Sequence, residues 1–258
     1  MHSVLEDIKR SSVPLITIVT VVFNVRNRLE RTIKSVMSQD YSNIEYIIID
    51  GGSTDGTLDV INDYSNYIDF WLSESDKGLY DAMNKAIYYA HGDYLWFLNA
   101  GDLIYDTNTL SRIFGTGERA DVYYGNTLII NHDGNPVGMR RLKPPRRLTW
   151  KSLRYGMVVC HQSVIIKREI VIPFETKYHF TSDYDWVLKI LKKSRQIVNT
   201  KLILAKFLKG GYSSKHVRQS LMERFEIMKE NYGFIPTVLY HFIIVMRFLF
   251  FYLTHGWF

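Results

Sequence analysis

The N-terminal half of the chain alternates between apolar strands and amphipathic helices, and this alternation constrains the fold more than any other feature. Residues 15–23 form a β-branched run without polar alternation, which is typical of a strand buried on both faces. Similar runs follow at 44–49, 68–72 and 94–98, and apolar residues at helical spacing separate them. Strands that alternate with helices form βαβ units with right-handed crossovers. The sequence therefore predicts an α/β fold with a mainly parallel sheet flanked by helices.

The alternation weakens after residue 102. Residues 122–130 and a strand after Asn135 flank a turn (NHDGN), so we predict a hairpin. A short strand is predicted at 163–166 and a helix at 182–191. These elements continue the first part of the chain as one unit.

Composition narrows the class of partner. The 258 residues are 47% hydrophobic, which suits one large domain or one domain with an appendage. A formal charge of +6 favours anionic partners such as nucleotides, nucleic acid or anionic lipid. The single cysteine, Cys160, excludes an internal disulfide, favours a reducing compartment and is predicted to be a core residue. Residues 1–10 contain no apolar run, so we expect no signal peptide.

Two later segments of the sequence indicate contact with a membrane surface. Residues 231–258 carry one formal charge, Arg247, and the apolar run 235–253 is long enough to matter to a bilayer. Because Arg247 lies mid-run, we favour a helix lying in the interface over one that spans. The alternative is a helix packed on the domain or on a second copy in a homo-oligomer. The segment 140–154 holds seven basic residues and no acidic one, and it is either a solvated loop or a contact for anionic lipid or a lipid-linked diphosphate. Pro144 and Pro145 and the lack of a recognition module argue against nucleic acid.

Polar residues follow three of the predicted strands. Asn24, Asp50 and Asp102 come after the strands ending near residues 23, 49 and 98. Parallel strands bring such residues to one sheet edge, where open α/β folds bind ligands. Neither G-x-G-x-x-G nor G-x-x-x-x-G-K-[ST] is present, which disfavours dinucleotide dehydrogenases and P-loop NTPases. Asp50 is a candidate partner for a base or ribose, and Asp102 for a cation on a diphosphate.

Four ordered blocks of the sequence resemble one known family. They are residues 20–24 (TVVFN), 50–57 (DGGSTDGT), 73–85 (SESDKGLYDAMNK) and 92–102 (GDYLWFLNAGD). In this order they are similar to the family 2 glycosyltransferases, and the resemblance extends over about residues 14–212. It implies the GT-A fold, a nucleotide-sugar donor, inversion at the anomeric carbon, and Mn²⁺ or Mg²⁺ as cofactor.

The resemblance also implies which residues hold the donor and the cation. The expected donor-binding residues are Val21, Phe23, Asn24, Asp50, Asp55, Lys77, Asn84, Asn99, Ala100 and Gly101. Asp102 matches the carboxylate of the family's DxD-type motif and would bind the metal. Many members have DADD where this chain has NAGD at 99–102, so a single carboxylate remains.

The expected catalytic base lies in TSDYDW at 181–186, which resembles the family's later acidic motif. An inverting transfer needs a carboxylate to accept the proton of the attacking hydroxyl. Asp183 fits that position better, and Asp185 stays as the alternative because either residue could serve as a helix N-terminal carboxylate.

Two further segments extend the expected site. CHQ at 160–162 is similar to a family block on the acceptor side, which gives His161 and Gln162 as acceptor contacts. The alternative for His161 is a buried, hydrogen-bonded histidine. The loop 210–216 (GGYSSKH) would close over the donor phosphates, with Lys215 or His216 as a phosphate or metal partner.

Together these observations predict a GT-A domain at 14–215, with a nucleotide-sugar-binding half at 14–102 and an acceptor-side half at 103–215. A helical, membrane-associated extension would follow at 216–258. The expected activity is inverting transfer from a UDP-sugar to a lipid-linked or growing glycan in bacterial surface polysaccharide assembly. The protein would lie in the cytoplasm or on the cytoplasmic face of the inner membrane. The alternatives are a sugar-nucleotide-binding relative without turnover and a sugar nucleotidyltransferase.

Overall fold

The computed structural model describes residues 13–115, 117–210 and 216–255. Nine strands form one mixed sheet in the order β3-β2-β1-β4-β8-β6-β9-β5, and β7 pairs with β6. The strands are β1 (Ile16–Val22), β2 (Ile44–Asp50), β3 (Phe70–Ser73), β4 (Tyr94–Phe97), β5 (Leu103–Ile104), β6 (Val122–Ile130), β7 (Pro136–Met139), β8 (Val164–Lys167) and β9 (Ile197–Leu208).

The α-helices flank this sheet and continue beyond it. They are α1 (Arg26–Met37), α2 (Thr57–Asp63), α3 (Leu79–Tyr89), α4 (Thr109–Phe114), α5 (Ser182–Lys193), α6 (Val217–Tyr232) and α7 (Phe234–His255). Short 3-10 helices include Trp150–Tyr155 and His161–Ser163.

The predicted parallel core is confirmed. β1 pairs in parallel with both β2 and β4, and β2 pairs in parallel with β3. All seven residues of β1 are buried, because successive side chains enter two different hydrophobic layers. Val19 belongs to the layer that contains α3 and α5, whereas Ile18 belongs to the layer that contains α1 and α4. An uninterrupted β-branched run is therefore the sequence pattern that this sandwiched position requires.

The second half of the sheet is mixed. β8 runs antiparallel to β4 and β6, and the predicted hairpin of β6 and β7 forms around residues 131–135. Strand β9, which the sequence patterns did not predict, lies parallel to β6. The result is the GT-A fold, in which a Rossmann-like parallel half is extended by antiparallel strands.

The last two described helices, α6 and α7, differ from each other in their environment. Helix α6 contributes Ile227 and Met228 to the core layer that contains α3 and α5. Helix α7 is the one described helix that is long and apolar enough to cross a membrane by length and composition. The division of the chain at residues 215 and 216 stays a prediction.

Candidate active site

The carboxyl ends of β1, β2 and β4 meet at one edge of the sheet, as predicted. Val22 is in register with Asp50, and Val19 is in register with Phe97. A cleft of about 770 Å³ opens above this edge, within the size range of ligand pockets. Of the predicted site residues, those that line it are Val21, Phe23, Lys77, Asn99, Ala100, Asp102 and Gln162.

Asp50 lies beneath this cleft and organises a loop. It is fully buried, and its Oδ2 accepts hydrogen bonds from the N–H groups of Gly52 (3.1 Å) and Ser53 (2.9 Å) and from Ser73 Oγ (2.7 Å). Its Oδ1 accepts a hydrogen bond from Ser53 Oγ. The next residue, Gly51, lines the cleft, whereas Asp50 does not belong to the described lining.

Three other predicted donor residues also fix the walls of the cleft. Asn24 Oδ1 accepts a hydrogen bond from Thr54 N–H at 2.9 Å, which joins the loop after β1 to the loop after β2. Asp55 holds the start of α2 by accepting from Thr57 N–H at 3.0 Å. Asn84 bonds both backbone groups of Phe174, with its Nδ2 donating at 3.0 Å and its Oδ1 accepting at 2.7 Å. None of these three side chains belongs to the described cleft lining.

The turn at 99–102 holds Asp102 in place. Gly101 has a φ of 100°, a conformation that favours glycine, and a Cβ there would lie 2.7 Å from Leu208 Cδ2. Thr32 Oγ1 accepts from Gly101 N–H and donates to the carbonyl of Asp102, each at 2.9 Å. The turn is thereby tied to helix α1.

The carboxylate of Asp102 is nearly buried, with 4% of the residue exposed. Its Oδ1 accepts from Leu208 N–H at 2.8 Å and its Oδ2 accepts from Gln162 Nε2 at 3.0 Å. Burial raises the pKa of Asp102 to about 7, although Leu208, the charge of His161 and Gln162 favour the ionised form. An acid with a strongly raised pKa in a cleft is a recognised mark of a functional group.

Asp183 begins helix α5 and lies beside His161. Its Oδ2 is 3.1 Å from His161 Nδ1, and its Oδ1 accepts from Tyr184 N–H at 2.9 Å. Burial raises the pKa of Asp183, but the hydrogen bond and charge of His161, the charge of Arg224 and the Tyr184 N–H outweigh it and lower the pKa overall. Asp183 is therefore an ionised carboxylate at neutral pH, and 24% of its side chain is exposed.

A 3-10 turn, His161–Ser163, connects the two acids. Trp96 Nε1 anchors the turn by donating to the carbonyl of Gln162 at 2.8 Å. From this turn His161 reaches Asp183, whereas Gln162 reaches Asp102. The expected alternative for His161, a buried and hydrogen-bonded histidine, describes its environment, since the residue is 8% exposed. Its Nε2 also lies 3.5 Å from Asn99 Nδ2.

Asp185 has a different environment from Asp183. It is 1% exposed, and its Oδ2 pairs with Lys189 Nζ at 2.7 Å. Burial raises the pKa of Asp185 although Lys189 opposes the shift. The carboxylate is held within the protein, and neither Asp185 nor Asp183 belongs to the described cleft lining.

Sequence reasoning missed several residues of the cleft. Tyr80 lines it and places its hydroxyl 3.4 Å from Asp183 Oδ1. Arg28 and Lys77 are cationic residues in the wall, and the described residues include no acidic ion-pair partner for either side chain. The helical spacing of α1 had indicated only its buried face, so Arg28 carried no separate signal.

The donor atoms fit a hard divalent cation that arrives with a diphosphate. The described residues contain no cluster of three His, Cys, Asp or Glu side chains that could hold a metal ion. Asp102 and Asn99 nevertheless both line the cleft, and Asn99 Oδ1 is a buried acceptor without a protein partner. Mg²⁺ sites commonly use one or two protein oxygens together with substrate phosphates. His216 stacks on Phe180 with ring centroids 4.6 Å apart, and Lys215 lies outside the described residues.

Comparison with known proteins identifies the family. Residues 17–172 match the family model described as "Glycosyl transferase family 2". A PGL/p-HBAD biosynthesis glycosyltransferase of Mycobacterium bovis is 27% identical over 225 residues, which cover 82% of this chain and 84% of that protein. An uncharacterized glycosyltransferase of Mycobacterium tuberculosis is 30% identical over 189 residues, which cover 69% and 70%.

Solved structures show the same fold. Residues 1–349 of S. aureus TarS superimpose with a TM-score of 0.68 at 16% identity, covering 93% of this chain and 75% of that one. The mannosyltransferase PcManGT from Pyrobaculum calidifontis, solved with GDP-Man and Mn²⁺, superimposes with a TM-score of 0.62 at 14% identity, covering 95% and 77%.

Proposed function

The chain belongs to glycosyl transferase family 2 and is a glycosyltransferase, and from this premise we propose that it transfers a sugar from a UDP-sugar, with inversion, to a lipid-linked or growing glycan. The proposed setting is the assembly of bacterial surface polysaccharide. The observation that carries the proposal is the Cys160-His-Gln162 segment, which bonds an ionised acid, Asp183, on one side and a cleft acid, Asp102, on the other.

The donor end of the cleft supports a nucleoside diphosphate. Val21, Val22 and Phe23 provide an apolar wall for a base, and Arg28 and Lys77 add positive charge for phosphates. Solved structures of TarS contain UDP and UDP-GlcNAc, whereas PcManGT contains GDP-Man, so the fold accepts more than one nucleotide. We favour UDP.

Asp102 and Asn99 are the residues that would hold Mn²⁺ or Mg²⁺, since both line the cleft, both carry side-chain oxygens, and Asn99 Oδ1 has no hydrogen-bond partner among the described residues. When bound, the cation would stabilise the negative charge of the departing diphosphate. Gln162 and the Leu208 N–H keep the Asp102 carboxylate oriented. His216, stacked on Phe180, stays a weaker metal candidate.

Asp183 is the group best suited to accept a proton. The attacking hydroxyl forms a bond to the anomeric carbon as the bond to the diphosphate oxygen breaks, and its proton passes to the Asp183 carboxylate. A single displacement of this kind inverts the configuration. The lowered pKa of Asp183 keeps the base ionised, and His161 fixes its orientation through the 3.1 Å contact. Asp185 is less suited because Lys189 holds it inside the protein.

The proposed acceptor is a lipid-linked or growing glycan. Support for this acceptor class comes from the M. bovis relative, whose name assigns it to PGL/p-HBAD biosynthesis. His161 and Gln162 stay the expected acceptor contacts, and in the structure they also bond Asp183 and Asp102. The acceptor would approach Asp183 from the side of Tyr80 and Phe180, which line the cleft.

The test is an Asp183→Asn variant assayed with a panel of UDP-sugars and GDP-sugars in Mn²⁺. We expect donor affinity near that of the native protein and a fall in kcat of about 100-fold or more, the scale of a lost general base. Asp185→Asn is the matched comparison and should retain the larger share of activity if it folds. Native kcat in the Asp183→Asn variant would refute the assignment of the base, and donor binding by the native protein without turnover would favour a relative that only binds sugar nucleotides.

A further inference from the structure

Helix α7 has one face on the protein and one face in solvent. Thr237 is fully buried, and Tyr240 and Ile244 pack against the main hydrophobic core. These positions recur every three or four residues, so they share one side of the helix. The large apolar residues on the remaining surface of α7 are exposed: Phe234, Ile235, Val238, Leu239, Phe242, Ile243, Val245, Met246, Leu249, Phe250 and Leu253.

The inward face is bound to the protein along most of its length. Arg154 Nη1 donates to Tyr240 Oη at 2.8 Å, and Arg247 Nη2 donates to the carbonyl of Tyr155 at 2.7 Å. Farther along, the Arg141 guanidinium lies 4.4 Å from the centre of the Phe251 ring. These contacts hold α7 against the protein surface from residue 237 to residue 251. Helix α7 would have to lose these contacts to cross a bilayer.

Two of the residues that contact α7, Arg141 and Arg154, belong to the basic segment, residues 140–154, and Tyr155 follows it directly. The seven basic residues of this segment form no ion pair with any acidic side chain among the described residues. Lys143, Lys151 and Arg154 line a groove of about 250 Å³ together with Thr149 and Ser152. Cations and hydroxyl groups in one groove suit the phosphate of a lipid head group. The basic segment and the exposed face of α7 are therefore neighbouring parts of one surface.

We propose that this surface docks the protein on an anionic phospholipid bilayer, with α7 lying in the interface and the basic segment on the head groups. Apolar burial and basic attraction are the two signals that stable peripheral binding generally requires. A symmetric dimer through the same face is disfavoured, because neither α7 nor the basic segment contains an acidic residue and like charges would approach each other. The inference does not depend on the donor or on the transfer mechanism.

A hydrogen bond joins the docking surface to helix α5, which carries Asp183. The 3-10 helix Trp150–Tyr155, which ends the basic segment, receives a 2.9 Å hydrogen bond from Tyr184 Oη at the carbonyl of Leu153. Tyr184 follows Asp183 on α5. Docking would thus fix the orientation of the cleft relative to the bilayer, on the cytoplasmic face of the inner membrane, where a lipid-linked acceptor would be presented.

The test is co-sedimentation of the full chain with vesicles of phosphatidylcholine alone and of phosphatidylcholine with phosphatidylglycerol. We expect stronger binding to the anionic vesicles. A Leu239→Ser/Phe242→Ser variant should bind both kinds of vesicle at least about ten-fold more weakly, because exposed apolar side chains lose their burial. Tyr88→Ser, which alters an aromatic residue that is 81% exposed on α3, is the matched control and should bind as the native protein does.

The basic half of the surface has its own pair of variants. Lys143→Gln/Lys151→Gln should weaken binding to anionic vesicles by about five-fold for each charge removed and leave binding to phosphatidylcholine unchanged. Lys193→Gln/Arg195→Gln removes the same charge from exposed positions elsewhere and should change neither.

Three results would overturn the proposal. One is native protein that binds neither kind of vesicle. Another is a dimer, detected by light scattering without lipid, that Leu239→Ser/Phe242→Ser dissociates while vesicle binding stays native. The third is protein that alkaline carbonate fails to release from membranes, which would mean that α7 spans the bilayer.

Discussion

The burial of Asp102 gives the folded protein a pH dependence that one substitution should remove. Burial raises the pKa of Asp102 from 3.8 to about 7. Well below pH 3.8 the folded and unfolded chains both hold this proton, whereas between pH 3.8 and about pH 7 the folded chain alone holds it. The free energy of unfolding therefore falls as pH rises through this window, by about 1.4 kcal/mol for each pH unit and by roughly 4 kcal/mol in all.

The Asp102→Asn variant has no proton to lose in this window. We expect its free energy of unfolding, minus that of the native protein, to increase by about 1.4 kcal/mol for each pH unit between about pH 5 and about pH 7. The measurement is urea unfolding of metal-free protein, followed by tryptophan fluorescence at several pH values. An amide keeps an oxygen for the Leu208 N–H, and Gln162 can turn its own amide to match, so the variant should fold.

Asp121→Asn is the control for this measurement. Burial raises the pKa of Asp121, but the N–H groups of Gln196 and Arg195 outweigh it and lower the pKa overall. Its free-energy difference should therefore stay constant over the same window. A constant difference for Asp102→Asn as well would refute the reasoning, because it would mean that Asp102 is ionised and solvated in the folded protein. The opposite sign is expected with ligand: UDP and Mn²⁺ should stabilise the native protein more than the variant.

Two further predictions concern neighbouring groups. In a His161→Phe variant, burial would raise the pKa of Asp183 without the opposing hydrogen bond, so the acid limb of kcat/KM against pH should move to higher pH; an unchanged profile would remove His161 from its positioning role. An Arg28→Met variant should bind UDP about ten-fold more weakly, the scale of a charge-assisted hydrogen bond, while binding uridine normally in calorimetry. Equal loss for uridine and UDP would show that Arg28 shapes the cleft rather than contacting phosphate.

Three of the elements that the sequence predicted well are strands whose two faces are both buried. Strands β1, β2 and β4 are largely continuous apolar runs, so their burial between two helical layers can be predicted from the sequence alone. Strand β9 was missed because Asn199, Thr200 and Lys201 interrupt its apolar pattern, and Lys201 adopts a φ of 60°. Pairing with β6 places β9 in the sheet, although the local sequence of β9 lacks a regular strand pattern.

Polar residues of the site were harder to assign because ligand binding and loop anchoring use the same side chains. Asp50 and Asn84 have the chemistry of donor-binding groups, yet in the structure their hydrogen bonds hold the Asp50–Ser53 loop and the backbone of Phe174. Tyr80 and Asp183 are 103 residues apart in the chain, and no local pattern reports that contact. Sequence could indicate which strand ends meet, but only the folded chain shows which side chains remain available to a ligand.

The short segment Cys160-His161-Gln162 explains how one fold keeps two carboxylates in different states. At Asp102 burial outweighs the Leu208 N–H, the charge of His161 and Gln162, so the pKa stays raised. At Asp183 the hydrogen bond and charge of His161, with the charge of Arg224 and the Tyr184 N–H, outweigh burial and lower the pKa. Paired acids whose environments separate their pKa values commonly divide the work of an active site. A positive charge beside Asp102 would favour its ionised form. Asp102 is therefore the acid whose energy improves when a cationic ligand arrives, whereas Asp183 is already ionised and so is in the state that can accept a proton.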